Sequence, residues 1–272
     1  MSNKKFNMIG GKKGWKRIPE GAGIVPSTIP KKPENKSSDL ENKTKSQIIP
    51  IAGDLAMITD ENMYNEAVKF LDKTFPNHRE VLTGNLKFED GVMKGSNPYI
   101  HVAVDKYLKE INSEYRVSIQ KDLESNLDFT RGTYNDSGLA LRNLTGSNKE
   151  QAKYLFDQLK KRGVSENDFP IWIDLRGLDL DKNSLNFKLT DESQFYKNQD
   201  FLNWDSGTNF SETNKYGFPK KPDENGSRTL WTSDNALSRC YLNVDSDLVS
   251  YYSGLSISYD DGRVVVAKPR AP

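Results

Sequence analysis

The hydrophobic period of this chain changes once, near Gly163: apolar residues recur at helical spacing before it and alternate after it. Upstream, Met63, Ala67, Phe70 and Leu71 form one stripe, with Thr59 or Asp60 as N-cap and Pro76 as its stop. Ile100, Val104, Leu108 and Ile111 form a second behind Asn97-Pro98, a cap followed by proline at the first helical position. Ala152, Leu155, Phe156 and Leu159 form a third, opened by a Ser147/Glu150 capping box and closed by Gly163. Downstream, Ile171, Ile173 and Leu175 alternate with Trp172 and Asp174, as in a strand. The run Arg263-Val264-Val265-Val266-Ala267, stopped by Pro269, predicts a buried strand. Helices first and short strands later predict an α+β fold, with early helices packed on a mostly antiparallel sheet.

The C-terminal half is expected to be loop-rich. Residues 176–228 are dense in turn formers, yet carry Phe187, Phe195, Tyr196, Phe201, Trp204, Phe210, Tyr216 and Phe218. Such a stretch is expected to be packed by its own side chains. Residues 1–50 hold eleven Lys/Arg against four Asp/Glu and little apolar surface, which predicts a disordered basic tail ahead of a domain over 51–272. Ile48, Ile49 and Ile51 would lead into that domain. The tail's lysines could touch phosphates weakly, but with almost no aromatics to stack on bases, nucleic acid is not otherwise expected as a partner. No apolar run is long enough to span a bilayer, and none follows the first lysines as a secretory signal would. A cytoplasmic or particle-associated location is the expectation.

Catalytic and metal chemistry find little support. One cysteine, Cys240, excludes an internal disulfide and a Cys-rich zinc site. His78 and His101 are far apart and have no evident partners. Asp179-x-Asp181-x-Asn183 has the opening spacing of a calcium loop, but Ser184 stands where its glycine belongs and Thr190 where its glutamate belongs, so a turn with Asx caps is expected. No phosphate-binding glycine motif or nucleophile elbow occurs. No catalytic residue, metal or cofactor is therefore expected.

Residues 233–261 stand apart. Eighteen of these twenty-nine residues are Ser, Asp, Asn or Tyr, and none is Lys, Glu, Gln, Met, Trp or Pro. Binding surfaces favour this chemistry, because Tyr gives rigid amphipathic contact area and Ser and Asn give adaptable hydrogen bonds. Long Lys and Glu side chains cost more entropy to immobilise. A genetic reading coincides. Ser, Asp, Asn, Tyr, Cys, Val, Ile and Gly are all encoded by codons ending in a pyrimidine, the set reached by mutating adenines of AAC-type codons. Leu237, Leu242, Leu248 and Leu255, then Gly262 and the valine strand, would hold the backbone beneath the polar residues, with Trp231 packed below.

The strings Gly226-x-Arg228-Thr229-Leu230-Trp231-Thr232, Leu237-Ser238-Arg239-x-Tyr241-Leu242 and Gly262-Arg263-Val264-Val265-Val266 resemble the C-terminal region of variable proteins diversified by retroelements. The resemblance covers only the last 45–70 residues or so. It implies a C-type lectin-like fold of the formylglycine-generating-enzyme type, and a non-enzymatic protein that binds an unknown protein or surface ligand through a diversified face. The chain lacks the cysteine pair of that fold's enzymatic branch and the EPN or QPD tripeptides of sugar-binding lectins. Asn203-Trp204-Asp205 only loosely echoes a lectin calcium motif and is read as a packed loop. The expected contact face is Tyr241, Asn243, Asp245, Asp247, Ser250, Tyr251, Tyr252, Ser253, Ser256, Ser258, Tyr259, Asp260 and Asp261, with Tyr251, Tyr252 and Tyr259 as anchors. Two alternatives stand beside it: a particle-associated structural protein docked by its tail, and an enzyme of unrecognised type with a site in 176–228.

Overall fold

A computed structural model describes residues 48–52, as backbone, and 55–268. These lie in the compact unit Thr44–Pro272. The expected basic tail falls outside the described residues, except that Ile48, Ile49 and Pro50 belong to a strand.

The helices form where caps and stripes coincide. Helix α1 (Glu61–Thr74) is capped by Asp60, whose carboxylate accepts from the Asn62 and Met63 amides, and it buries Met63, Ala67 and Leu71. Helix α2 (Pro98–Glu110) is capped by Asn97, whose side chain accepts from Ile100 N at 2.8 Å. Ile111 lies beyond the last turn of α2 and is exposed, so the expected stripe ends at Leu108. Two short helices, α3 (Gln120–Glu124) and α4 (Leu127–Thr130), precede α5 (Lys149–Lys160). The expected Ser147/Glu150 box does not form. Asn148 takes the cap position in left-handed conformation (φ 60°) and makes no side-chain cap bond. Its amide is committed elsewhere, as shown below.

A four-stranded sheet has the order β1 (Ile48–Ala52), β2 (Leu55–Ile58), β15 (Val265–Ala267), β5 (Arg116–Val117). The valine strand thus pairs with β2 and β5 rather than joining the larger sheet. That sheet has seven strands in the order β10 (Phe195–Tyr196), β7 (Ile171–Asp174), β6 (Asn135–Leu141), β13 (Leu237–Leu242), β14 (Leu248–Val249), β12 (Arg228–Trp231), β11 (Thr208–Phe210). All its pairings are antiparallel except β12 with β14. Two hairpins complete the strands: β3 (Lys87–Glu89) with β4 (Val92–Lys94), and β8 (Leu178–Leu180) with β9 (Phe187–Leu189). The architecture is α+β.

The alternation in β7 separates two cores. Ile171 and Ile173 join Leu139, Leu141 and the buried faces of α1, α2 and α5. Trp172 and Ala140 point to a second cluster with Phe201, Phe210, Phe218, Leu230 and Leu242. Most aromatics of 176–228, namely Tyr196, Phe201, Trp204, Phe210 and Phe218, therefore cover the sheet's second face, while Phe187 and Phe195 join the first core. Gly138 permits this packing: a Cβ there would lie 2.5 Å from the Trp172 ring. Asp181 caps a turn through the Asn183 and Ser184 amides and pairs with Lys188, as expected of an Asx turn.

Candidate functional site

Between β13 and β15 the chain crosses from one sheet to the other with only the two-residue strand β14 as regular structure. Its path is set largely by hydrogen bonds to main-chain carbonyls, with side-chain acceptors at Asn243, Asp247, Ser250 and Ser258. Three buried arginines each take one: Arg228 Nε donates to Ser246 O (2.6 Å), Arg142 Nη2 to Ser250 O (3.1 Å) and Arg239 Nη1 to Ile257 O (2.5 Å). Asn148 Nδ2 donates to both Leu237 O (2.9 Å) and Ser253 O (2.6 Å), and Asn97 Nδ2 to Ser256 O (3.3 Å). The Gly132, Tyr134 and Gly95 amides donate to Val244, Asp261 and Gly262 carbonyls. A carbonyl is present whatever the side chain, so these anchors do not depend on the identity of the residues they hold. Beneath them Leu237, Leu242, Leu248, Leu255, Val264, Val265 and Val266 are buried. Gly262 is required by close approach, since a Cβ would sit 2.7 Å from that of Ser96.

The arginines are themselves fixed. Arg228 forms a two-pronged pair with Glu124 (2.6 and 2.8 Å), and Arg239 is paired with Asp136 inside the protein. Arg142 has no carboxylate partner among the described residues; it donates to Leu202 O, Ser238 Oγ and Ser250 as well, and burial lowers its pKa.

The held segment forms a cup of about 330 Å³ lined by Tyr134, Trp231, Tyr241, Asn243, Asp245, Asp247, Val249, Tyr251, Tyr252 and Tyr259. Five tyrosines touch one another: Tyr134 stacks on Tyr259 with centroids 4.3 Å apart, Tyr251 meets Tyr252 at 4.2 Å, and Tyr241 lies about 6 Å from Tyr134, Tyr252 and Tyr259. The Arg239 guanidinium packs on Tyr241 (4.8 Å) and Tyr259 (5.4 Å), so a buried ion pair supports the floor of the cup. Burial raises the phenol pKa of Tyr241, Tyr251 and Tyr259, which keeps them as neutral hydroxyls.

No family model matches the chain, and no curated protein or solved structure matches it.

Seven of the thirteen expected contact residues line the cup. Of the other six, Ser258 and Asp260 line a neighbouring cavity with Lys87 and Lys94, while Ser250, Ser253, Ser256 and Asp261 lie outside both. Two placements correct the expectation of an exposed face. Tyr241 is 2% exposed, because it sits on β13 between Asp136 of β6 and Val249 of β14. Ser250 is wholly buried, with its hydroxyl on Arg142. Three more carry local duties. Asn243 Oδ1 accepts from the Asp245 and Asp247 amides, Asp247 Oδ1 accepts from Thr229 N, and Ser258 Oγ accepts from Ser96 N. Asp245, Tyr251, Ser256, Asp260 and Asp261 are exposed, and Asn243, Asp247, Tyr252, Ser253, Ser258 and Tyr259 half-buried.

Trp231 is a further correction. It does not pack beneath the segment but stands 38% exposed on the rim, with Nε1 donating to Asp247 Oδ2 at 3.2 Å. Tyr134 and Val249 were missed as lining residues. Tyr134 lies about a hundred residues upstream, and the pairing of β6 with β13 and its own bridge to Gly262 bring it to the cup.

Other polar clusters are closed or dispersed. Ser96, His101 and Asp136 touch in sequence, with Ser96 Oγ donating to Asp136, but all three are fully buried and burial lowers the His101 pKa. Burial pushes the Cys240 thiol up to about 12. No carboxylate in 176–228 is buried, and Asp179, Asp181 and Glu192 each pair with a lysine. Among the described residues no group of His, Cys, Asp and Glu is placed to hold a metal, and no helix is long and apolar enough to cross a membrane.

Proposed function

We propose that this chain is a ligand-binding protein that displays a diversified surface on a C-type lectin-like scaffold and is a target of retroelement mutagenesis. One observation carries the reading: the path of 244–262 is held by donors on carbonyl oxygens, so outward side chains are not asked to hold the fold. The composition of 233–261 supports it independently, through paratope-like chemistry and a residue set reachable from adenine-rich codons. The α+β architecture, with the first strands beside the last, agrees with the scaffold. The face is smaller than the sequence suggests: Asp245, Tyr251, Tyr252 and Tyr259, joined by Trp231 and Tyr134, are its binding side chains, while Tyr241, Asn243, Asp247 and Ser250 are its support.

The test is genetic. The DNA near the gene should hold a second, near-identical copy of the stretch encoding 233–261, differing from the gene only at positions where the copy has adenine. Absence of such a copy, or differences spread over all four bases, rejects diversification.

A further inference from the structure

We infer that the tyrosine cup takes an organic cation, the ammonium or guanidinium group of a lysine or arginine side chain on a protein partner. The inference rests on the cup being the binding face and adds the chemistry of its occupant.

Charge decides the class. Two carboxylates line the cup and no basic residue does. The Asp245 carboxylate makes no hydrogen bond or ion pair among the described residues. Asp247 is engaged only by neutral donors: the Thr229 amide, the Trp231 indole and the Asn243 amide. Among the described residues, neither charge is paired with a basic side chain. Lys87 and Lys94, across Tyr259 in the neighbouring cavity, are already paired with Asp260 and with Glu89 and Asp90. Arg239 faces Tyr241 and Tyr259 from inside the protein, where Asp136 neutralises it.

The aromatic surface agrees. Trp231, Tyr251 and Tyr252 have no cation over their rings among the described residues, and Tyr251 and Tyr252 cover only one face of each other. An aromatic cup edged by carboxylates suits an organic cation, because ring quadrupoles and carboxylates both attract positive charge. A phosphate or carboxylate would meet two uncompensated negative charges. The chain beyond residue 50 carries 28 basic against 34 acidic residues, which favours approach of a basic surface.

The full-length chain, labelled with 3-fluorotyrosine, is titrated with choline and separately with 3,3-dimethyl-1-butanol, its neutral isostere. Choline should shift the Tyr251 and Tyr252 resonances saturably, and the alcohol should do so at least fivefold more weakly. Asp245→Asn should weaken choline about threefold and leave the alcohol unchanged, and the loss should shrink in high salt. Tyr251→Leu, which keeps apolar volume and removes the ring, should weaken choline about fivefold. Equal binding of choline and alcohol, or no saturable shift with either, overturns the inference. Neither result touches the proposed diversified surface, which is judged by the second gene copy and by tolerance of substitution.

Discussion

Arg239 and Asp136 form a fully buried, two-pronged pair, with Nε to Oδ1 at 2.7 Å and Nη2 to Oδ2 at 2.5 Å. The same guanidinium holds the Ile257 carbonyl and supports two rings of the cup. Core and surface thus share one side chain. Removing one partner of such a pair leaves a buried charge alone, at a cost of about 3–5 kcal/mol. Arg239→Met should therefore lose about that much in urea unfolding. The double variant with Asp136→Asn should be more stable than Arg239→Met alone, since it leaves no orphaned charge.

Asn148 offers a milder probe of the anchoring. Its left-handed backbone suits glycine, so Asn148→Gly removes the bonds to Leu237 O and Ser253 O without straining φ. The expected loss is about 1–3 kcal/mol. Amide exchange should quicken around Ser253 and not in α1, and uniform quickening would contradict a local anchor.

Much of this was legible in advance, for identifiable reasons. Asp60 and Asn97 announce their helices because cap chemistry is local. The leucines of 233–261 announce their burial because apolar residues in a polar run have few other uses. Asn148 was not legible as a bridge, because its two acceptors lie 89 and 105 residues away. Tyr-rich company predicts an exposed Tyr241. Its burial follows from the central place of β13, which only long-range pairing defines. The burial of Ser250 is hidden from the sequence in the same way, since its partner Arg142 is 108 residues distant.

Asp174 gives the fold a pH signature. It is buried, accepts from Trp172 Nε1 and Tyr196 OH, and burial raises its pKa to about 6. The folded state thus holds this proton more tightly than the unfolded chain, whose aspartate titrates near 4. Its contribution to stability is greatest below about pH 4 and is lost as pH rises toward 6 and above. The stability of Asp174→Asn relative to the parent should rise across that window and level off by about pH 7. Urea midpoints from pH 4 to 8 measure it, and a flat difference would mean that Asp174 is not strained by burial.

Gly138 tests the second core. Gly138→Ala drives a methyl into the Trp172 ring and should cost about 1–3 kcal/mol or more, with altered tryptophan fluorescence. An unchanged midpoint would mean that the sheet and Trp172 separate more easily than the packing implies.

The most direct test of carbonyl anchoring compares two thermal unfolding curves. One variant replaces Asp245, Tyr251, Ser256, Asp260 and Asp261 together with alanine, all exposed in the fold. The other carries only Arg142→Met, which leaves the Leu202 carbonyl without its donor and the Ser250 carbonyl with only that of Ser238 Oγ. The five-residue variant should unfold cooperatively within roughly 5 °C of the parent, and Arg142→Met should fall further than that. If the five alanines unfold the domain, or cost more than the single arginine, then side chains and not carbonyls hold the segment.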